Sequence, residues 1–315
     1  MINQTFLNGF VLLGFSDEQV FFFFMILMTY SMIIVGNLTI FSVIKIDVHL
    51  QTPMYFFLSY LSLLDVCYSS VTLPGMLVNA ITGNTRVSFN LCFTQLYFFV
   101  SLGGSECLLL AAMAYDRYVA ICNPLHYPVV MNKTFCSYLV GGSWFFGFLN
   151  SVLHTALTSK LTFCRHRHVN HFFCDVPPML NASCADTHTS QMLLYIVSVF
   201  LGMSPFVFVI ASYIQIISTI FKIHSASGRK KAFSTCSSHL IVVTVFYITA
   251  NFNYIGPKPG ESFDIIRLSS ILYSVLTPLF NPVIYCLRNQ EVKRALKKAF
   301  TGKYSASKLS LCQIK

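Results

Sequence analysis

The chain has 315 residues, of which 55% are hydrophobic and only 10% charged, with 31 Phe and a formal net charge of +10. A water-soluble domain carries charge at about a quarter of its positions, so this composition excludes one and makes lipid the solvent for most of the sequence. The basic balance does not point to nucleic acid, because no basic soluble domain exists to carry it.

In chain order, residues 1–19 read as a free extracellular tail that holds the glycosylation triplet Asn3-Gln4-Thr5. A first apolar span covers 20–45, and Phe21 to Ile44 contains no charge. It follows Asp17 and Glu18 rather than a basic stretch, so it reads as a retained helix and signal anchor, not a cleaved signal peptide. The run His49-Leu50-Gln51-Thr52-Pro53-Met54-Tyr55-Phe56-Phe57-Leu58 leads into a second span, 54–78, which contains Leu64-Asp65. A third span, 91–121, contains Glu106 and closes on Met113-Ala114-Tyr115-Asp116-Arg117-Tyr118-Val119-Ala120-Ile121-Cys122. Charges at the end of such a helix reach the water boundary, where both stay solvated. A fourth span covers 137–157.

A long loop, about 158–190, follows. With Cys92 it brings Cys164, Cys174 and Cys184 to one side of the membrane, and four cysteines allow three pairings. His166, His168 and His171 sit among them, a set that suits a soft metal only if thiolates remain free. Asn181-Ala182-Ser183 is a second triplet, crowded against Cys184. The fifth span, 191–221, carries Ser212-Tyr213, and the sixth, 235–257, opens with Lys231-Ala232-Phe233-Ser234-Thr235-Cys236-Ser237-Ser238-His239. The seventh, 268–287, ends Pro278-Leu279-Phe280-Asn281-Pro282-Val283-Ile284-Tyr285-Cys286-Leu287-Arg288-Asn289. Beyond it, residues 289–300 read as a short amphipathic helix, with Leu296 and Phe300 toward lipid and Lys293, Arg294, Lys297 and Lys298 toward headgroups. The organisation is one domain, 20–288, with a cytoplasmic helix and tail at 289–315.

If the N-terminus is outside, 15 of the 21 basic residues lie in the inner loops and tail, from Lys45 and Arg117 through Arg229, Lys230 and Lys231 to the last segment. That obeys the positive-inside rule and gives a multi-pass plasma-membrane protein. Asp65 and Glu106 are the sole acids deep inside spans. Carboxylates there are costly, so these two either share a proton or hold a cation, for which oxygen ligands are suitable. No nucleophile, base and orienting acid share a plausible site, so the sequence does not read as an enzyme. The runner-up class is a transporter or channel, which would show paired repeats or polar residues along several spans; the presence of only two buried acids and of no repeat argues against it.

The quoted runs closing the third span, entering the second, opening the sixth and closing the seventh resemble those of the odorant receptors. Together they cover nearly the whole chain. Within the rhodopsin-like G-protein-coupled receptors, the Pro-Met-Tyr element and the helix-six opening mark that family, and the three-cysteine loop is similar to its class II, tetrapod-type branch. The resemblance implies an all-α, seven-transmembrane bundle. It also implies disulfides Cys92–Cys174 and Cys164–Cys184, and a sodium ion at Asp65 and Glu106 with Asn37, Thr277 and Asn281 near. A small volatile, mostly apolar ligand is then expected against Phe99, Val100, Gly103, Gly104, Val197, Ser198, Leu201, Tyr247, Asn251, Tyr254, Ile271 and Ser274. Coupling to a stimulatory heterotrimeric G protein is expected through Asp116, Arg117, Tyr118, Tyr213 and Tyr285. A receptor for a non-olfactory small ligand is the alternative, although Phe99 and Val100 stand where an amine receptor holds its Asp. Two departures bear on ligand choice: Ile248 stands where the family often has a small residue, and Asn251 and Asn253 put amides high on the sixth span.

Overall fold

Lipid offers backbone groups no partners, so each apolar run must close its own hydrogen bonds, which a helix does. The structure is a computed structural model, and it describes residues 9–12, 19–163, 168–255, 270–288 and 290–300. Its helices are α1 (Gln19–Ile46), α2 (Pro53–Thr82), α3 (Phe89–Cys122), a single turn α4 (Tyr127–Val130), α5 (Lys133–Ser159) and a short α6 (Val176–Asn181). They continue as α7 (His188–Val197), α8 (Ser204–Phe221), α9 (Ala226–Ile255), α10 (Thr277–Arg288) and α11 (Gln290–Phe300). A π-helical segment, Ser198–Met203, joins α7 to α8 into one fifth span, and another, Leu272–Leu276, leads into α10. The seven spans are α1, α2, α3, α5, α7–α8, α9 and the π segment with α10.

The helices overrun the apolar runs because their first and last turns sit at the interface, where capping groups are available. Pro53 opens α2, and Gly83 closes it with φ 64, a left-handed conformation that costs glycine nothing. Ser88 Oγ accepts from Leu91 N to start α3 at 3.3 Å, and Asn132 Oδ1 accepts from Phe135 N to start α5 at 2.9 Å. The sixth helix begins nine residues earlier than its apolar run, since its basic opening is also helical. Among the described residues, four helices are long and apolar enough to cross a membrane by composition alone. The helix α5 is not one of them, although it has 27 residues. Its Ser, Gly, Asn and His lower its hydropathy, and four of them, Ser143, Gly147, Ser151 and His154, are buried against its neighbours.

The interior is an apolar core, but the outer face is apolar too, unlike that of a soluble protein: Phe24, Val35, Phe146 and Phe200 stand exposed on it. The buried groups of α3 run from Cys92 to Val119, and this helix packs against α2, α5, α8 and α9 at the centre of the bundle. At the disulfide end, a second small core gathers Phe10, Phe93, Val169, Val176 and Met179. A three-stranded sheet lies over it, in the order β2-β1-β3, formed by β1 (Gly9–Leu12), β2 (Arg86–Ser88) and β3 (His168–Val169). The first pair is antiparallel, with Phe10 opposite Val87, and the second is parallel, with Val11 opposite His168. The amino-terminal tail is therefore not free throughout, since Phe10 and Leu12 are buried and Phe10 meets the Phe163 ring edge-on at 4.9 Å. Asn3 and the tail beyond residue 300 lie outside the described residues.

Candidate functional site

A cavity of about 100 Å³ opens between α3, α5, the fifth span, α9 and the seventh span. Val100, Gly103, Gly104, Val197, Leu201, Tyr247 and Asn251, all expected from the sequence, line it. Gly103 and Gly104 are needed for different reasons. A Cβ on Gly103 would strike the Tyr273 hydroxyl, and one on Gly104 would stand 3.3 Å from Gly147 Cα of α5. Tyr247 Oη donates to Cys107 O at 3.0 Å, tying α9 to α3 across the cavity floor, and Asn251 Nδ2 donates back to Tyr247 O at 2.7 Å. The Cys107 thiol donates to Leu201 O at 3.3 Å, within the π-helical segment.

The remaining expected residues are placed differently. Phe99 is fully buried off the cavity wall, stacked on Tyr68 at 4.8 Å and against Phe173 at 4.8 Å. Ser274 is buried and donates to Ile271 O at 3.4 Å, while Ile271 packs on the bundle core. The side chains of Ser198, Tyr254 and Asn253 lie outside the described residues. Ile248 is exposed on the outer face and does not reach the cavity. Sequence reasoning missed Cys107, Asn150, His154, Val176, Leu194, Phe246 and Tyr273 on the wall. Asn150 and His154 come from α5, a helix not expected at the site. Their four-residue spacing was a readable sign that both share one helix face.

Beneath the cavity lie the two buried acids. Asn281 Nδ2 donates to both Asp65 oxygens, at 3.1 and 2.9 Å, which ties the seventh span to α2. Asp65 and Glu106 lie close enough to interact electrostatically, and Asn281 reaches Glu106 as well. Asn37 Nδ2 donates to Pro278 O at 3.0 Å, bringing α1 to the residue after Thr277. Four buried oxygens in these residues have no hydrogen-bond partner among the described residues: Asn37 Oδ1, Glu106 Oε1, Thr277 Oγ1 and Asn281 Oδ1. Orphaned buried acceptors are rare and costly in folded proteins, and an oxygen-liganded cation satisfies them. Among the described residues no cluster of three His, Cys, Asp or Glu exists, so the donor set suits a hard cation rather than a transition metal.

At the opposite end from the disulfide, Asp116 is fully buried and accepts from Tyr127 Oη of α4 at 2.9 Å. Burial first, and the Asp116 carboxylate next, hold the Tyr127 hydroxyl protonated well above its ordinary range. The Arg117 Nε lies 4.0 Å from Asp116 Oδ2, too far for a hydrogen bond, and among the described residues Nε has no other acceptor. Tyr213 of α8 is buried beside it, its hydroxyl 2.6 Å from His239 Nδ1 of α9 and its ring stacked on that imidazole. Tyr118 is half-buried and packs on the core. The Tyr285 side chain lies outside the described residues. The Pro-Met-Tyr element also has a contact: Tyr55 Oη donates to Glu291 of α11 at 2.8 Å, fastening that amphipathic helix to α2.

Over the cavity sits the long loop, closed by a Cys92–Cys174 disulfide with Cα atoms 5.4 Å apart. Cys174 N donates to Gln95 Oε1 at 3.0 Å, and Gln95 Nε2 donates to Val71 O of α2 at 2.9 Å, so one glutamine anchors the loop to two helices. Cys184 is also disulfide-bonded, and Phe163 pairs antiparallel with Ser183 beside it. Cys164 and His166 lie outside the described residues. His171 is buried, with Nδ1 3.0 Å from Phe173 O, and His168 is exposed on β3. Asn181 ends α6 and is exposed. The five free cysteines among the described residues are Cys67, Cys107, Cys122, Cys136 and Cys236, all within the helices.

A family model described as olfactory receptor matches residues 25–303. Olfactory receptor 10A7 of Homo sapiens is 48% identical over 304 residues, 96% of this chain and 96% of its own length. Olfactory receptor 226 of Rattus norvegicus is 47% identical over 298 residues, covering 92% of this chain and 91% of its own. Olfactory receptor 5AP2 of Mus musculus is 48% identical over 299 residues, 94% of each.

Proposed function

The chain belongs to the olfactory receptor family, and from that premise we propose how this odorant receptor works. The family is one of membrane receptors, which is not an enzyme class. A small volatile, mostly apolar odorant enters the cavity beneath the disulfide-tied loop, from outside the cell. The receptor then activates a stimulatory heterotrimeric G protein at the Arg117 end, inside the cell, and cyclic AMP rises. The amino terminus is extracellular in this arrangement.

The observation that carries the reading is the placement of α9. This one helix touches the cavity at Tyr247 and the Arg117 cluster at His239. Eight residues separate them, about 12 Å along a helix axis. A ligand shifts an equilibrium only by binding one state better. Ligand contacts to Tyr247 and its turn tilt α9 against α3, and the same tilt strains the Tyr213–His239 pair at the other end. Released from that pair, Tyr213, with Tyr285, can repack around Arg117 and leave it open to the partner, with Asp116 and Tyr118 forming its immediate surroundings.

The buried acids add a restraint. A sodium ion held by Asp65 and Glu106, with Asn37, Thr277 and Asn281 supplying neutral oxygens, would offset one of the two carboxylate charges, leaving the other to be balanced by a shared proton, and would cross-link four spans in the inactive state. The four orphaned acceptors support that assignment.

The test is a cyclic-AMP reporter assay in cells that express the receptor, run against a chemically diverse odorant panel. A dose-dependent response that needs the stimulatory G protein is expected. Ion currents that persist without any G protein would instead favour a channel or transporter.

A further inference from the structure

We propose that the ligand of this receptor is a neutral hydroxyl compound, held by Asn150 and His154 of α5; this rests on the cavity being the odorant site. The walls are mainly apolar, and none of the lining residues is Asp, Glu, Lys or Arg. A volatile acid or amine, charged at neutral pH, would enter without a counter-ion, at the full cost of desolvation. The ligand is therefore uncharged.

The polar groups on the wall divide by commitment. Tyr247 donates to Cys107 O, the Cys107 thiol to Leu201 O, and the Asn251 amide nitrogen to Tyr247 O. Asn150 and His154 make no hydrogen bond within the described protein, although His154 is buried and Asn150 Oδ1 is fully shielded from solvent. An unsatisfied buried acceptor is a standing penalty that a donor from the ligand removes. The amide oxygen asks for an O–H. A neutral imidazole offers one donor and one acceptor, so the same hydroxyl oxygen accepts from the His154 N–H. An ether or aldehyde accepts only and leaves Asn150 Oδ1 orphaned; a hydrocarbon satisfies neither.

Backbone proximity makes this wall possible. Gly104 of α3 meets Gly147 of α5 with no side chain between them, and a Cβ on Gly147 would stand 2.6 Å from Ser101 O and Ser105 N. Ser151 Oγ donates to Tyr97 O at 2.5 Å, pinning the same crossing. One and two turns beyond Gly147, α5 is thus near enough to the cavity for Asn150 and His154 to line it. The cavity, at about 100 Å³, restricts the guest to a small compound.

The experiment uses the full-length receptor with a series of straight and branched primary alcohols, each with its methyl ether and parent hydrocarbon. The alcohols are expected to activate at concentrations about tenfold below their ethers, the order expected of one buried hydrogen bond. Asn150→Leu should erase most of that gap while surface labelling shows the receptor delivered. Asn150→Thr, which keeps a hydroxyl acceptor at the site, should retain part of it. Activation by ethers and hydrocarbons at the potency of alcohols overturns the hydroxyl assignment and leaves the cavity reading standing. Alcohol activation that ignores both Asn150→Leu and Tyr247→Ala moves the ligand elsewhere and overturns both. Silence from all three compound classes, in a receptor present at the surface, overturns the assignment too.

Discussion

Arg117 occupies an unusual position for a cation in a membrane protein. Its side chain is only 14% exposed, yet its nearest carboxylate is 4.0 Å away and already engaged by Tyr127. A buried guanidinium without a tight partner is poorly suited to holding a fold together and well suited to meeting a partner that arrives later. Arg117→Ala should therefore leave surface delivery largely intact while abolishing agonist-driven cyclic AMP. Surface-normalised reporter measurements check this, and a mutant that signals normally at matched surface level would remove Arg117 from the activation machinery. Its position was plain in the sequence, since an Asp-Arg pair ending a long apolar run has only the water boundary to occupy. The company it keeps was not. The Tyr213–His239 contact joins residues 26 apart on two helices, and no spacing within either helix announces it.

At the scale of elements, the crossing of α3 and α5 decides how the cavity is shaped. Gly147 lies against α3, so an added methyl meets the Ser105 hydroxyl and also the backbone at Ser101 O and Ser105 N, which no rotamer change can clear. Gly147→Ala should force the helices apart and lower the yield of folded receptor, by overpacking of about 1–3 kcal/mol. Surface labelling and detergent thermal stability measure it. Gly141→Ala is the control, because nothing lies within 4 Å of that position. The same crossing explains where sequence reasoning stopped. Seven spans and the amphipathic α11 were legible, because hydropathy and its periodicity are local. That α5 lines the cavity was not, because it depends on how closely two glycines on different helices approach. The strand at Gly9–Leu12 was equally hidden: four residues are too few for an alternation to stand out, and it forms only because Arg86–Ser88 and the loop supply its partners. The π segments are hidden in another way. Ser198–Met203 reads as uninterrupted apolar helix, yet its altered register presents the Leu201 carbonyl to Cys107.

On the scale of the whole molecule, the acid cluster sits between the cavity beneath the loop and the Arg117 end. Glu106 and the cavity-lining Cys107 are consecutive residues, while Asn281 holds Asp65 from the far side. An ion bound there would link α1, α2, α3 and the seventh span, so it must be released or reshaped when those helices move. By linkage, an ion that favours the inactive arrangement is itself weakened by agonist, and by the same factor. Two measurements follow. The unfolding midpoint of purified receptor should rise as sodium replaces choline at constant ionic strength, since a ligand bound only to the native state stabilises it, by about 1.4 kcal/mol at tenfold its dissociation constant. In cells, replacing sodium should increase agonist potency. Glu106→Gln removes one charged ligand while keeping its shape, so both sodium effects should vanish in that variant. Surface labelling separates this from simple misfolding. A wild-type receptor whose unfolding midpoint is the same in sodium and in choline would refute the ion site, and the four orphaned oxygens would then have to be satisfied by water or by a proton shared between the two acids.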